Sequence, residues 1–193
     1  MDFGATLCAF TLLFLAEMGD KTQLMAMTLA HRYRAVPVIV GTFAAFLLLN
    51  LLAVLAGQGL SQILPREIIL LAAGLLFLLF AYRSWSEGAL EQEETTRIDP
   101  RYIWLSSLTL IFVAELGDKT QLAMVALVAQ SDAIWSVFIG GTLALWAVSL
   151  IGIIVGRTLL SKLSRRWVHR AAAVLFLIFG LLALVQAGLQ LGQ

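Results

Sequence analysis

FTLLFLAEMGDKTQL at Phe10–Leu24 and LTLIFVAELGDKTQL at Leu108–Leu122 are nearly one sequence written twice. Eleven of the fifteen positions match, at a constant offset of 98 residues. Each copy sets Glu, Asp and Lys (Glu17, Asp20, Lys21; Glu115, Asp118, Lys119) inside an apolar stretch long enough to cross a bilayer. Charge in hydrocarbon costs about 2.5–3.5 kcal/mol per residue even on lenient insertion scales. Six such residues cost on the order of 15–20 kcal/mol if nothing compensates. Polar glue between membrane helices is usually a single Ser, Thr or Asn. Charge carried in duplicate points to use.

The surrounding composition fits a lipid solvent. The chain of 193 residues is 61% hydrophobic and 13% charged, with mean hydropathy +0.93. Soluble domains carry roughly 25% charged residues. The N-terminal MDFGATLCAF has an acid, no basic region and no small-residue cleavage pattern before the polar motif. It reads as the first membrane helix rather than a signal peptide. Cys8 is the single cysteine, so an intrachain disulfide and a thiolate cluster are excluded, and it reads as a packing residue. Net charge of +1 gives no case for nucleic-acid binding.

Spanning helices need about 20 apolar residues. Six candidates follow: Phe3–Ala30, Val36–Ala56, Ile68–Tyr82, Ile103–Ala129, Ile134–Val155 and Ala171–Leu191. The first and fourth are over-long, and each has a glycine (Gly19, Gly117) beside its charges. Such spans are expected to be tilted, kinked or locally unwound, which is how many transporters build an ion site at mid-depth. The third is short and extends toward Glu67 or beyond. The predicted fold is therefore all-α and integral to the membrane, with six transmembrane helices.

Loop charges orient them. Arg32, Arg34, Arg83, Arg97, Arg101, Arg157, Lys162, Arg165, Arg166 and Arg170 fall on one side of a six-span chain, and Arg66 alone on the other. Positive charge stays in the cytoplasm, so both termini are predicted outside. Tyr33, Tyr82, Trp85, Tyr102, Trp104 and Trp167 lie near span ends on the basic side, as interfacial aromatics do. Three spans per half is an odd number, so the second copy enters from the opposite face: an inverted 3+3 repeat. Residues 1–83 form the first three-helix repeat, 84–101 an acidic cytoplasmic linker and 102–193 the second repeat. Gly41-Thr42 reads as the match of Gly141-Thr142, and LFLLFA (Leu76–Ala81) as the match of LFLIFG (Leu175–Gly180). The linker's Glu87, Glu91, Glu93, Glu94 and Asp99 read as a solvated connector rather than a cation-gathering patch.

Residues three and four apart share a helix face. Glu17, Asp20 and Lys21 should thus form one stripe with Gln23 beside it, and Glu115, Asp118, Lys119 and Gln121 another. Thr22 and Thr120 would point away unless the backbone unwinds near the glycine. Thr11 and Thr109 lie nearly two turns earlier, on roughly the same face as Lys21 and Lys119, and Asn50 and Ser149 are further candidates to complete the cavity. Joined across a pseudo-twofold, the stripes offer four carboxylates and several amide and hydroxyl oxygens. Hard divalent cations want six or more oxygen ligands, and oxygen-rich sites suit Mg²⁺, Ca²⁺ or Mn²⁺. Neither motif contains His or Cys; His31 and His169 lie at the basic interface. Four carboxylates less two lysines leave a formal charge of −2, which one divalent ion or protons would neutralise. Lys21 reads either as an i,i+4 partner of Glu17 or, with Lys119, as a gating cation that holds the carboxylates without metal.

Glu17-Met18-Gly19-Asp20-Lys21-Thr22 and Glu115-Leu116-Gly117-Asp118-Lys119-Thr120 both fit E-x-G-D-[KR]-[ST]. On this motif the chain resembles, along its whole length, the small membrane family long called uncharacterised protein family sixteen, a family of cation/proton exchangers. The resemblance implies a bacterial manganese exporter, related to Golgi Ca²⁺/Mn²⁺ transporters, in the bacterial inner membrane. The expected function is export of Mn²⁺ in exchange for protons. The expected metal residues are Glu17, Asp20, Glu115 and Asp118, with Gln23, Gln121, Thr22 and Thr120 as weaker ligands and Lys21 and Lys119 as charge-balancing groups. The partners are then a divalent metal ion as substrate and the lipid bilayer, with no cofactor. Alternatives are a Ca²⁺/H⁺ exchanger, a cation channel or a metal-dependent intramembrane enzyme, although no Ser/His pair, HExxH or phosphate loop is present.

Overall fold

In lipid every backbone polar group must find its partner within the chain, which restricts a spanning segment of this composition to helix. The computed structural model describes residues 2–86, 102–160 and 165–191. Among them are eight α-helices: α1 (Phe3–Glu17), α2 (Lys21–Arg32), α3 (Ala35–Ile63), α4 (Arg66–Ser86), α5 (Ile103–Glu115), α6 (Lys119–Gln130), α7 (Ile134–Leu160) and α8 (Arg165–Leu191). The acidic linker lies outside the described residues. Four stretches are long and apolar enough to cross a membrane: α3, α4, Ile134–Ile154 within α7 and Arg170–Gln190 within α8. The pair α1 and α2 makes a fifth candidate, bent by 72°. At 1.5 Å per residue, α1 is about 22 Å long and α5 about 20 Å. Each falls short of a hydrocarbon core of about 30 Å, so the chain breaks within membrane depth.

The two over-long spans are thus each divided in two, and the divisions share one geometry. Met18 and Leu116 leave the helix in extended conformation. Gly19 and Gly117 both sit at φ +81, a left-handed conformation that glycine adopts without strain. Asp20 and Asp118 then take the N-cap position of α2 and α6. The short polar side chain of Asp favours that position. Asp20 Oδ1 accepts from the Lys21 N–H at 2.6 Å. The sequence MGD/LGD is therefore a stop, a reversal and a restart.

Packing pairs each half with the other. The α1 helix lies on α7 and α5 on α3, while α4 lies on α8. Glycines permit the closest approaches: a Cβ at Gly41 would stand 2.2 Å from the Trp104 carbonyl oxygen, and one at Gly140 2.2 Å from that of Thr6. Thr6 and Trp104 stand in the motif register, so the counterpart of Gly41 is Gly140 and not Gly141. The α2–α3 connection is residues 33–34, and the α6–α7 connection is residues 131–133. The extra residue there moves the register from 98 to 99, which corrects the match drawn between Gly41-Thr42 and Gly141-Thr142. The same register holds in α4 and α8. Phe77 and Phe176 stack at 6.0 Å, both fully buried. Phe77 meets Phe179 at 6.4 Å, and Phe80 meets Phe176 at 5.5 Å. A shift of 99 exchanges these last two pairs.

Contacts also sort the connections into two ends. The Asp2 N–H donates to Ser136 Oγ at 2.8 Å, and Arg66 pairs with Asp132 at 3.7 Å, so residues 2, 64–66 and 131–136 share one end. Leu29, Val38 and Ile103 cluster at the other. The Arg170 guanidinium there lies 5.4 Å from the Trp85 ring and 5.7 Å from the Trp167 ring. Tyr82, Trp85, Tyr102, Trp104 and Trp167 are exposed. The outer faces present half-exposed leucines such as Leu47, Leu48, Leu51, Leu52 and Leu55 of α3. Apolar surface this continuous suits lipid rather than water.

Candidate metal and proton site

The last residue of α1 and the last of α5 are both glutamate, and both are buried to 1% exposure. They belong to stripes of buried residues. In α5 the stripe runs Ile103, Ser107, Ile111, Glu115 at four-residue spacing. A helix that ends on a buried carboxylate, followed by an extended residue and a left-handed glycine, delivers that carboxylate to a gap between helices.

The gap gathers both halves. Thr22 Oγ1 donates to Glu17 Oε1 at 2.5 Å, and Thr120 Oγ1 donates to Glu115 Oε2 at 3.1 Å. The Thr22 hydroxyl also reaches Glu115. Glu17 lies in the fields of Glu115, Asp20 and Lys119, and Glu115 in those of Asp118 and Asp20. Lys119 forms an ion pair with Asp20, across 99 residues of chain. Glu17 Oε2 and Glu115 Oε1 are buried and lack a hydrogen-bond partner. Two such oxygens in a low-dielectric interior require a cation or a proton, since an uncompensated buried charge costs several kcal/mol.

The break explains how the threonines arrive. The expected continuous stripe does not exist, because the helical register ends at Glu17 and restarts at Lys21. Lys21 consequently does not pair with Glu17. It is exposed and makes no ion pair among the described residues. Of the two motif lysines, Lys119 alone faces the carboxylates, so the formal charge of the motif residues gathered there is −3 rather than −2. Gln23 and Gln121 are used at the breaks. Gln23 Oε1 accepts the Gly19 N–H at 2.7 Å, and Gln121 Oε1 accepts the Gly117 N–H at 2.5 Å. Gln23 Nε2 donates to the Val148 carbonyl at 2.9 Å and lies 3.9 Å from Met18 Sδ.

The remaining candidates have partners elsewhere. Thr11 and Thr109 donate back to Leu7 and Leu105 of their own helices. Asn50 Nδ2 donates to Thr142 Oγ1 at 3.0 Å, tying α3 to α7, and Ser149 donates to the Leu145 carbonyl. Trp146 adds a second tie: its ring stacks on Phe43 at 4.5 Å and its Nε1 donates to the Phe43 carbonyl. Sequence reasoning missed Trp146, whose only signal was an indole in mid-span. Among the described residues no three carboxylate, imidazole or thiol groups stand close enough to enclose a metal ion. The oxygens that converge are those of Glu17, Glu115, Thr22 and Thr120, with Asp20 and Asp118 at the rim.

The family described as divalent cation/proton antiporter GDT1 matches residues 5–92 and again residues 103–190. A Vibrio cholerae protein named "Putative manganese exporter" is 34% identical over 175 residues, covering 90% of this chain and 86% of the relative. The Synechocystis GDT1-like protein sll0615 is 33% identical, with 92% and 97% covered. The Saccharomyces cerevisiae divalent cation/proton antiporter GDT1 is 24% identical, with 94% and 83% covered. No solved structure matches the chain.

Proposed function

We propose, from the premise that the chain belongs to the divalent cation/proton antiporter GDT1 family, that it exports Mn²⁺ across a bacterial inner membrane in exchange for protons. It is read as a transporter and not an enzyme. The observation that carries this reading is the pair of buried glutamates from the two halves, each with one oxygen lacking a hydrogen-bond partner. Such oxygens suit two competing ligands, a hard divalent ion or protons. Glu17, Glu115, Asp20 and Asp118 would carry the charge of the metal, with the Thr22 and Thr120 hydroxyls shaping the glutamates. The glutamine amides would serve the breaks before they serve the ion. Lys119, held by Asp20, would balance charge while metal is away and yield Asp20 when metal enters. Manganese in particular comes from the name of the Vibrio cholerae relative; the oxygen donors themselves accept Ca²⁺ as well.

The accompanying architecture is six crossings in an inverted 3+3 repeat: residues 1–83, a cytoplasmic linker 84–101 and residues 102–193. The α1/α2 and α5/α6 pairs then count as one crossing each. The division of connections between two ends supports it, as does the exchange of phenylalanine contacts under one shift. The excess of arginine at the end holding Arg32, Arg34, Arg83 and Arg170 supports a cytoplasmic location for that end, with both termini outside.

The test is transport in proteoliposomes with an imposed pH gradient, comparing Mn²⁺, Ca²⁺ and Mg²⁺. Mn²⁺ should accumulate against its own gradient, and Glu17→Gln or Asp118→Asn should nearly abolish it. Parent-like transport by either variant would remove that residue from the site. Metal that merely equilibrates, regardless of the pH gradient, would make the protein a channel.

A further inference from the structure

We infer that Gln23 is a positioning residue that latches the first helix break onto α7, and that the second half lacks the matching latch because Ala53 stands where α7 has Gly152. The inference rests on the transport reading, in which the two halves exchange conformations.

Gln23 is 2% exposed, and its single amide joins two parts of the molecule. The oxygen accepts the N–H of Gly19 inside the break. The nitrogen donates to the Val148 carbonyl, 125 residues away on α7. Gly152, one turn beyond Val148, makes the room. A Cβ there would stand 2.7 Å from Gln23 Cγ and 3.2 Å from the Gln23 carbonyl oxygen. Contacts that close are not tolerated, so only glycine lets Gln23 lie against α7 in this way.

The second half has the glutamine without the room. Gln121 accepts the Gly117 N–H just as Gln23 accepts that of Gly19. In the register of 99, however, the counterpart of Gly152 is Ala53, and that of Val148 is Leu49. Ala53 is buried and carries the methyl that Gly152 lacks. Among the described residues Gln121 Nε2 makes no hydrogen bond to Leu49. The second break is correspondingly open: Leu116 is 56% exposed, and a Cβ on Gly117 would meet nothing within 4 Å. A contact made by only one of two exchanging conformations shifts the population toward the conformation that makes it. The latch thus favours the arrangement with the first break docked and the second open.

The test uses the full chain in detergent with Cys8→Ser, and a single cysteine at Met18 or at its counterpart Leu116, reacted with a maleimide. In the parent, Leu116→Cys should react faster than Met18→Cys. Adding Gln23→Ala, or Gly152→Val to refill the space, should speed labelling of Met18→Cys by about fivefold, the effect of one net hydrogen bond on a two-state equilibrium. The same change should slow labelling of Leu116→Cys. Ala53→Gly should move both rates in the same directions while leaving Gln23 intact. Opposite movement at the two sites separates a population shift from loosening, which would speed both. Unchanged rates, or both rates rising, would overturn the latch. Labelling needs no transport. A parent that labels as described but fails to couple Mn²⁺ to protons would overturn the antiport reading alone.

Discussion

Thr22→Val tests whether hydroxyls shape the carboxylates proposed to bind metal, and the two halves supply their own control. The substitution keeps the branched shape and removes one oxygen. Thr22 is 1% exposed and donates to Glu17 Oε1 at 2.5 Å while also reaching Glu115. Without it, Glu17 Oε1 loses its hydrogen bond and joins Oε2, which already lacks one, in a buried site. A hydrogen bond to a charged group contributes about 1.5–3 kcal/mol, so removing it should raise the half-saturating Mn²⁺ concentration by about 10- to 100-fold. Thr120 donates to Glu115 alone, at 3.1 Å. At that length the contribution is nearer about 1 kcal/mol, so Thr120→Val should shift the same quantity by about fivefold. The assay is the initial rate of Mn²⁺ uptake into proteoliposomes across a metal titration at fixed pH gradient. Equal shifts, or the larger shift from Thr120→Val, would refute the shared role of Thr22. So would a fall in maximal rate with half-saturation unchanged, since the hydroxyl would then serve a conformational step.

Three further outcomes are expected. Lys119→Met should change the Mn²⁺ dependence of transport at least about tenfold, because it leaves Asp20 without its cation; Lys21→Met, on an exposed residue, should change it less than about twofold. Gly117→Ala meets no neighbouring atom but forces alanine to φ +81, so it should cost about 1–2 kcal/mol and lower the unfolding temperature in detergent by a few degrees while the protein still folds. With equal pH on both sides, lowering pH should raise the half-saturating Mn²⁺ concentration, since protonation consumes the oxygens that the metal needs; a flat profile between mildly acid and mildly alkaline pH would mean that protons and metal do not share Glu17 and Glu115.

The candidate site was legible in sequence where residue type alone marks it and illegible where packing does. Six charges in two apolar spans could be found by reading, as could the glycines beside them. The consequence of Gly19 and Gly117 could be stated only as some irregularity. The structure makes it a full interruption, and every assignment that assumed a continuous face changes with it. Lys21 leaves the carboxylates, and Thr22 turns in to Glu17. Asp20 becomes an N-cap whose second oxygen is held by Lys119 of the other half. No local rule pairs residues 99 apart with opposite charge, and so two lysines that read alike have different surroundings. The register of the repeat failed for a similar reason. Gly41-Thr42 and Gly141-Thr142 match by letter, but the close approaches to Trp104 and Thr6 select Gly140, because one residue is added between α6 and α7.

Departures from equivalence carry more information than the repeat itself. Perfectly equivalent halves would give two exchanged conformations of equal energy, each half populated. This chain differs from itself at particular buried positions. Gly152 answers to Ala53, Ser107 to Ala9 and Asn50 to Ser149; in the last pair Asn50 ties α3 to α7, whereas Ser149 donates back to its own helix. Each difference lies on a helix face that packs between the halves rather than on the carboxylates, which are conserved between the copies down to the threonine. The repeat thus keeps the chemistry twofold while the packing around it is not. A few such contacts, each of about 1 kcal/mol, suffice to shift a two-state equilibrium by one or two orders of magnitude. On the proposed reading, the resting conformation is biased at Gly152 and Asn50, and the ion is bound at Glu17 and Glu115.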